Sequence, residues 1–152
     1  MKIFYKLAFF LIRLYWKLAK PITVGVRLLM IQEERVFLVK HTYDGGWHMP
    51  GGGMKRDETL EEAVRREAAE ETGAVLHDLR LFGAYSGFYQ GKSDHVVVFV
   101  ATDFTLTGPV DRGEIEQASF FPLQSLPAVA SVGTKQRVAE YLQNCPPYYG
   151  SW

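Results

Sequence analysis

At 152 residues the chain suits one domain with a sizeable core, and 47% apolar with 22% charged residues is ordinary for a globular protein. The single cysteine, Cys145, excludes an internal disulfide and a cysteine-based zinc cluster; it reads as a tail residue without chemistry, and a cytoplasmic location is expected. The net charge of zero hides a split. Residues 1–32 carry six basic and no acidic side chains, while the remainder sets eleven basic against all seventeen acidic ones, a net −6 that argues against a general nucleic-acid binder.

Residues 2–19 have the pattern of an amphipathic helix, stopped by Pro21. At about 100° per residue, Lys2, Lys6, Arg13, Lys17 and Lys20 share an arc of roughly 60°, and the rest of the surface is apolar. The uncharged run Leu7–Ile12 falls far short of the ~20 residues that a bilayer span needs. Two readings stay open for this helix: a peripheral membrane contact through its basic stripe, or packing on the domain or on a second subunit as a homodimer.

Ile22–Ile31 and Arg35–His41 read as buried strands around a turn at Gln32–Glu34. A glycine-dense loop, Thr42–Asp57, follows. Thr59–Thr72 has helical periodicity, with Leu60, Ala63, Val64 and Ala68 as its apolar stripe and Gly73 as its stop. Strands are expected at Leu79–Tyr89, His95–Asp103 and Glu116–Phe121. A turn at Pro122–Leu126 then leads to a last helix around Lys135–Gln143. This order predicts an α+β fold, a mixed sheet with helices against its faces. The chain divides into residues 1–20 (helix), 21–144 (domain) and 145–152 (irregular tail).

The chemistry concentrates in Gly52–Ala74. Glu67, Glu70 and Glu71 stand at i, i+3 and i+4, so helical geometry places three carboxylates on one face. Like charges that close demand a cation, and hard divalent ions with oxygen ligands, Mg²⁺ or Mn²⁺, answer the demand. Pro50-Gly51-Gly52-Gly53 lets backbone approach a ligand, so that loop carbonyls can reach metal and loop N–H groups can reach phosphate. Arg66 beside the acidic face is placed to neutralise Glu58 or Glu62 and to hold the loop on the helix. A solvated helix face with glutamate–arginine pairs is the alternative for the glutamates alone, and the glycine loop at its fixed distance argues against it.

The stretch resembles the signature of the Nudix hydrolases. Gly52, Glu58, Arg66, Glu67, Glu70, Glu71 and Gly73 fall on its fixed positions, while Ala68 and Ala74 fill the aliphatic slots with small side chains. Trp47, Pro50, Gly51 and the order of elements from about Pro21 to Asn144 are similar to the family too. The resemblance implies an α/β/α sandwich around a mixed sheet. It also implies hydrolysis of a nucleoside diphosphate derivative, in which water attacks phosphorus and metal ions offset the diphosphate charge.

Carried over, Glu70 and Glu71 are metal ligands, Glu67 is a further ligand or the base, the Gly52 carbonyl touches metal, and Glu58 with Arg66 buttresses the loop. Some family members draw the base from a later loop. Glu114, just before Ile115, is the candidate here, with an exposed loop carboxylate as the alternative.

Gly51 and Gly53 are expected at the substrate, and Trp47, Tyr43, Tyr85, Phe88 and Tyr89 are the aromatics available to stack on a nucleobase, although each taken singly reads as a core residue ahead of a contact. His41, His48 and His95 read as surface or strand histidines ahead of phosphate contacts. Two functional alternatives remain beside the enzyme: a binding or regulatory module without turnover, and a peripheral membrane hydrolase of a lipid-linked diphosphate.

Overall fold

The computed structural model describes residues 21–89, 92–107, 113–144 and 148–152. The helix expected over residues 2–19, with its membrane or dimer contacts, lies outside them, as does Cys145.

Strand β1 (Ile22–Gln32) alternates its apolar side chains between two cores. Val26, Leu28 and Met30 enter one, and Leu29 and Ile31 the other. A two-residue turn at Glu33–Glu34, both at positive φ (50° and 56°), connects it to β2 (Arg35–His41), as a tight hairpin matching the strand twist requires. The remaining elements are β3 (Trp47–His48), α1 (Leu60–Thr72), β4 (Ala74–Leu76), β5 (Arg80–Tyr89), β6 (Lys92–Ala101), β7 (Phe104–Leu106), β8 (Ile115–Pro122), α2 (Val132–Gln143) and β9 (Tyr148–Ser151).

Seven strands form a mixed sheet in the order β3-β2-β1-β6-β5-β9, with β8 also pairing with β2. The β1/β6 and β5/β9 pairs are parallel and the other pairs of this sheet antiparallel; β4 and β7 form a separate ribbon. Helix α1 covers one face through Ala63, Val64 and Ala68, and α2 covers the other through Val138. This is the expected α/β/α sandwich. Among the described residues no helix is long and apolar enough to cross a membrane.

Helix α1 starts where a capping box can form. The Thr59 hydroxyl accepts from Glu62 N–H, and the Glu62 carboxylate accepts from Thr59 N–H. It stops at Gly73, whose φ of 66° is the left-handed cap that glycine provides without strain. The irregular tail expected from Cys145 onward needs correction: Tyr148–Ser151 add to β5 as a parallel strand. Packing supports that strand. The Tyr148 ring lies 5.1 Å from Phe82, and Trp152 packs over Gly133.

Candidate active site

The site begins with a gap in the sheet. β1 and β2 pair only near their turn, from Met30↔Phe37 to Gln32↔Arg35. Beyond it, residues 50–54 take the place beside β1: Leu28 N–H donates to Pro50 O (2.9 Å), Val26 N–H to Gly52 O (2.9 Å), and Met54 N–H to Val24 O (3.1 Å). The loop is thus tied to the sheet as a strand would be. Gly51, at φ 137°, lies so close to β1 that a Cβ would overlap Val26 O. A Cβ on Gly52 would sit 2.6 Å from Glu67 Oε1, so glycine here admits a carboxylate against backbone.

On α1, Arg66 holds the acidic face together. Its Nε and Nη2 donate to the two oxygens of Glu58 (2.6 and 3.0 Å), and Nη1 donates to Glu67 (2.7 Å) and Glu70 (3.1 Å). Nη2 also reaches Gly53 O at 3.2 Å, which locks loop to helix. Hydrogen bonds from Arg66, then from Lys55 N–H, hold the Glu58 carboxyl down to about 2, and Glu58 in turn raises Arg66. The partner of Arg66 is therefore Glu58, while Glu62 serves the helix cap.

Glu71 differs from its neighbours: it is only 6% exposed, and its Oε2 accepts the Gly51 N–H at 2.8 Å. Burial pushes its carboxyl up to about 7, with Glu67 and Glu114 adding to the rise against Gly51 N–H and Arg27. Glu70 is half exposed, with Lys55 Nζ at 3.6 Å.

The opposite wall comes from the end of β2 and the approach to β8. Register shifts between Lys40 and His41, and Thr42 N–H donates to Glu114 O. This joins His41, Tyr43 and Glu114. The Tyr43 ring stacks on His41 at 5.0 Å, and Tyr43 OH donates to Glu114 Oε1 at 3.3 Å. Burial, then His48, lowers His41; burial likewise lowers His48. A cleft of about 370 Å³ lies between the walls, lined among others by Arg27, His41, Gly53, Glu67, Glu71 and Glu114.

The structure brings Glu58, Arg66, Glu67, Glu70, Glu71, Glu114 and the three glycines to this cleft or its buttress. The Gly52 carbonyl, expected at metal, already accepts Val26 N–H and keeps one lone pair; the Gly51 N–H, suited to phosphate, is committed to Glu71. Trp47 does not line the cleft: its ring packs edge-on against Phe121 at 4.7 Å because a large aromatic beside the core is better buried. Tyr85 is buried at 2% exposure, with its hydroxyl on Glu140, and is equally unavailable to a nucleobase. Tyr89 stands on β5 with its side chain outside the description, and Phe88 is exposed. His95 bonds Ser86 within the sheet.

Sequence reasoning passed over Arg27 and put a site role for His41 second. Arg27 was visible only as one basic residue of residues 1–32, yet it lines the cleft with its Nη1 buried and without a hydrogen-bond partner among the described residues. His41, read as a surface or strand histidine ahead of a phosphate contact, lines the cleft from the end of β2.

The donors suit a hard divalent cation. Carboxylate oxygens crowd a glycine loop, and burying Glu71 among them favours its neutral form unless positive charge is supplied.

An α/β/α sandwich with an acidic, cation-suited cleft between a sheet-bound glycine loop and a helix is the class that fold and site define together. Residues 20–142 match the NUDIX domain family, and the chain belongs to it. It is 32% identical over 111 residues to an ADP-ribose pyrophosphatase of Methanocaldococcus jannaschii, covering 70% of this chain and 66% of that protein. It is 31% identical over 125 residues to an NAD-capped RNA hydrolase, NudC, of Vibrio cholerae, covering 81% and 44%. The chain thus spans less than two thirds of the length of these relatives. Among solved structures, a MutT NUDIX hydrolase from Burkholderia pseudomallei superimposes with a TM-score of 0.71 at 26% identity, over 78% of this chain and 96% of that one.

Proposed function

We propose that the chain is a divalent-cation-dependent pyrophosphohydrolase that breaks the diphosphate bond of a nucleoside diphosphate derivative by attack of water on phosphorus. The observation that carries this reading is Glu67 and Glu70 gathered by Arg66, with Glu71 held against the glycine loop by the Gly51 N–H. Glu67, Glu70 and Glu71 would hold Mg²⁺ or Mn²⁺, with the remaining lone pair of the Gly52 carbonyl beside them. When bound, the cation supplies charge neutralisation of the diphosphate and acidification of the attacking water.

The chain's own residues supply position and proton transfer. Arg66 and Glu58 fix the loop and the carboxylates before substrate arrives, so little reorganisation is left for the reaction. The base that takes the proton from water is Glu67, where it is not itself a ligand, or Glu114, which Tyr43 steadies. Arg27, an always-charged donor that lines the cleft and has no hydrogen-bond partner at Nη1 among the described residues, suits a phosphate oxygen. The names of the two relatives direct the search toward ADP-ribose and NAD-type diphosphates.

The test is product release from a panel of nucleoside diphosphate derivatives with Mg²⁺, including ADP-ribose, NAD⁺ and an NAD-capped oligoribonucleotide. Wild type should turn over at least one member, and Glu70→Gln or Glu71→Gln should reduce that rate by about 10²-fold or more. Unchanged turnover in both variants, or full turnover in chelator, would reject the assigned roles.

A further inference from the structure

A nitrogen donor stands at the oxygen-rich cleft. His41 is 6% exposed; its Nδ1 is buried with no hydrogen-bond partner among the described residues, and its Nε2 lies 3.9 Å from Glu71 Oε1, beyond hydrogen-bond reach. A buried polar group left this way is costly, and a ligand would offset that cost. One donor atom from each of His41, Glu71 and Glu114 lies within 4.8 Å of the others.

We propose that His41, with Glu71 and Glu114, binds a divalent cation through its imidazole, forming a mixed nitrogen–oxygen site that favours Mn²⁺, Co²⁺ or Zn²⁺ over Mg²⁺. The inference rests on the cation-dependent reading above and names which side chain tunes the ion.

Each of the three is anchored from behind. Glu71 is held through Oε2 by the Gly51 N–H, and Glu114 through Oε1 by Tyr43 OH. The stacked Tyr43 ring sets the imidazole plane. Donors around an ion with bonds of about 2.1 Å stand roughly 3–4 Å apart, so the trio needs to contract by about 1 Å. Imidazole suits the later first-row metals, whereas Mg²⁺ prefers carboxylate and water oxygens; this gives the site its selectivity.

The experiment is cation binding to the full-length protein without substrate. Pulsed EPR of the Mn²⁺ complex should show ¹⁴N coupling from a directly bound imidazole in wild type, lost in folded His41→Ala. By titration calorimetry, His41→Ala should weaken Co²⁺ about tenfold or more and Mg²⁺ by less than about threefold. Saturable Mn²⁺ binding without ¹⁴N coupling, or coupling that survives in the variant, would overturn this inference and leave the pyrophosphohydrolase reading standing. Absence of saturable Mn²⁺ binding would overturn both.

Discussion

Arg66 on α1 and Arg137 on α2 are the same side chain on opposite faces of one sheet, used in opposite ways. Arg66 meets acceptors through Nε, Nη1 and Nη2: three carboxylates and one carbonyl. Among the described residues Arg137, 3% exposed, has a single carboxylate partner, Glu140 at 2.8 Å, and its Nε and Nη1 are buried without partners. Its guanidinium lies instead 3.7 Å from the Tyr85 ring centroid, with Trp152 beyond at 5.6 Å. Matched charge on the first face turns an arginine into a positioning device for the cleft. On the second face the arginine acts as a flat packing group against Tyr85 and Trp152. Both helices carry a hydroxyl N-cap and a left-handed C-cap, so helix architecture alone does not separate them.

The comparison breaks first at Arg137. Arg137→Ala should lower stability by about 3 kcal/mol in urea unfolding, because Tyr85 and Trp152 lose their cover, while kcat/KM of the folded protein stays within about twofold. Arg137→Met, which keeps volume and removes the charge, should cost about 1 kcal/mol or less. Equal losses in the two variants would show that charge, not packing, is what Arg137 contributes.

Arg66→Lys should do the reverse. Lysine cannot span both oxygens of Glu58 while also holding Glu67, so kcat/KM should fall about a hundredfold and Mg²⁺ affinity with it. Unfolding should change little. A melting curve displaced as far as that of Arg137→Ala would erase the contrast.

The smallest effect is expected at Asp78, away from both arginines. Its Oδ1 accepts Thr102 and Asp103 N–H (2.8 Å each) and its Oδ2 the Thr102 hydroxyl (2.7 Å). Burial, which pushes the carboxyl up, is outweighed by these bonds, so it titrates below its ordinary value. A depressed folded value means stability that is present above the unfolded value near 4 and lost as pH falls through the folded one. Asp78→Ala should therefore cost about 1 kcal/mol at pH 7, a difference that shrinks toward pH 2 in paired urea titrations.

Much of this was legible beforehand. The apolar runs Ile22–Ile31 and Arg35–His41 are strands within a residue of their expected bounds, and Thr59 and Gly73 bracket α1 as read. Strands β3, β4, β7 and β9 were not legible. Two to four residues are too few to show a period, and their pairing depends on partners distant in the chain, as Leu76 with Phe104. Trp47 misled because an aromatic in a glycine loop looks available until Phe121 packs against it.

By itself the sequence determined the acidic face, because the spacing of Glu67, Glu70 and Glu71 on a helix is local geometry. The NUDIX signature follows from that face and from its distance to Gly52 and Glu58. Only the tertiary structure decided that Arg66 answers to Glu58 and not Glu62, that Glu71 is buried and raised, and that His41 lines the cleft. The reason is physical: helical spacing is a property of a few consecutive residues, whereas burial and electrostatics sum over neighbours that meet only when the strands assemble.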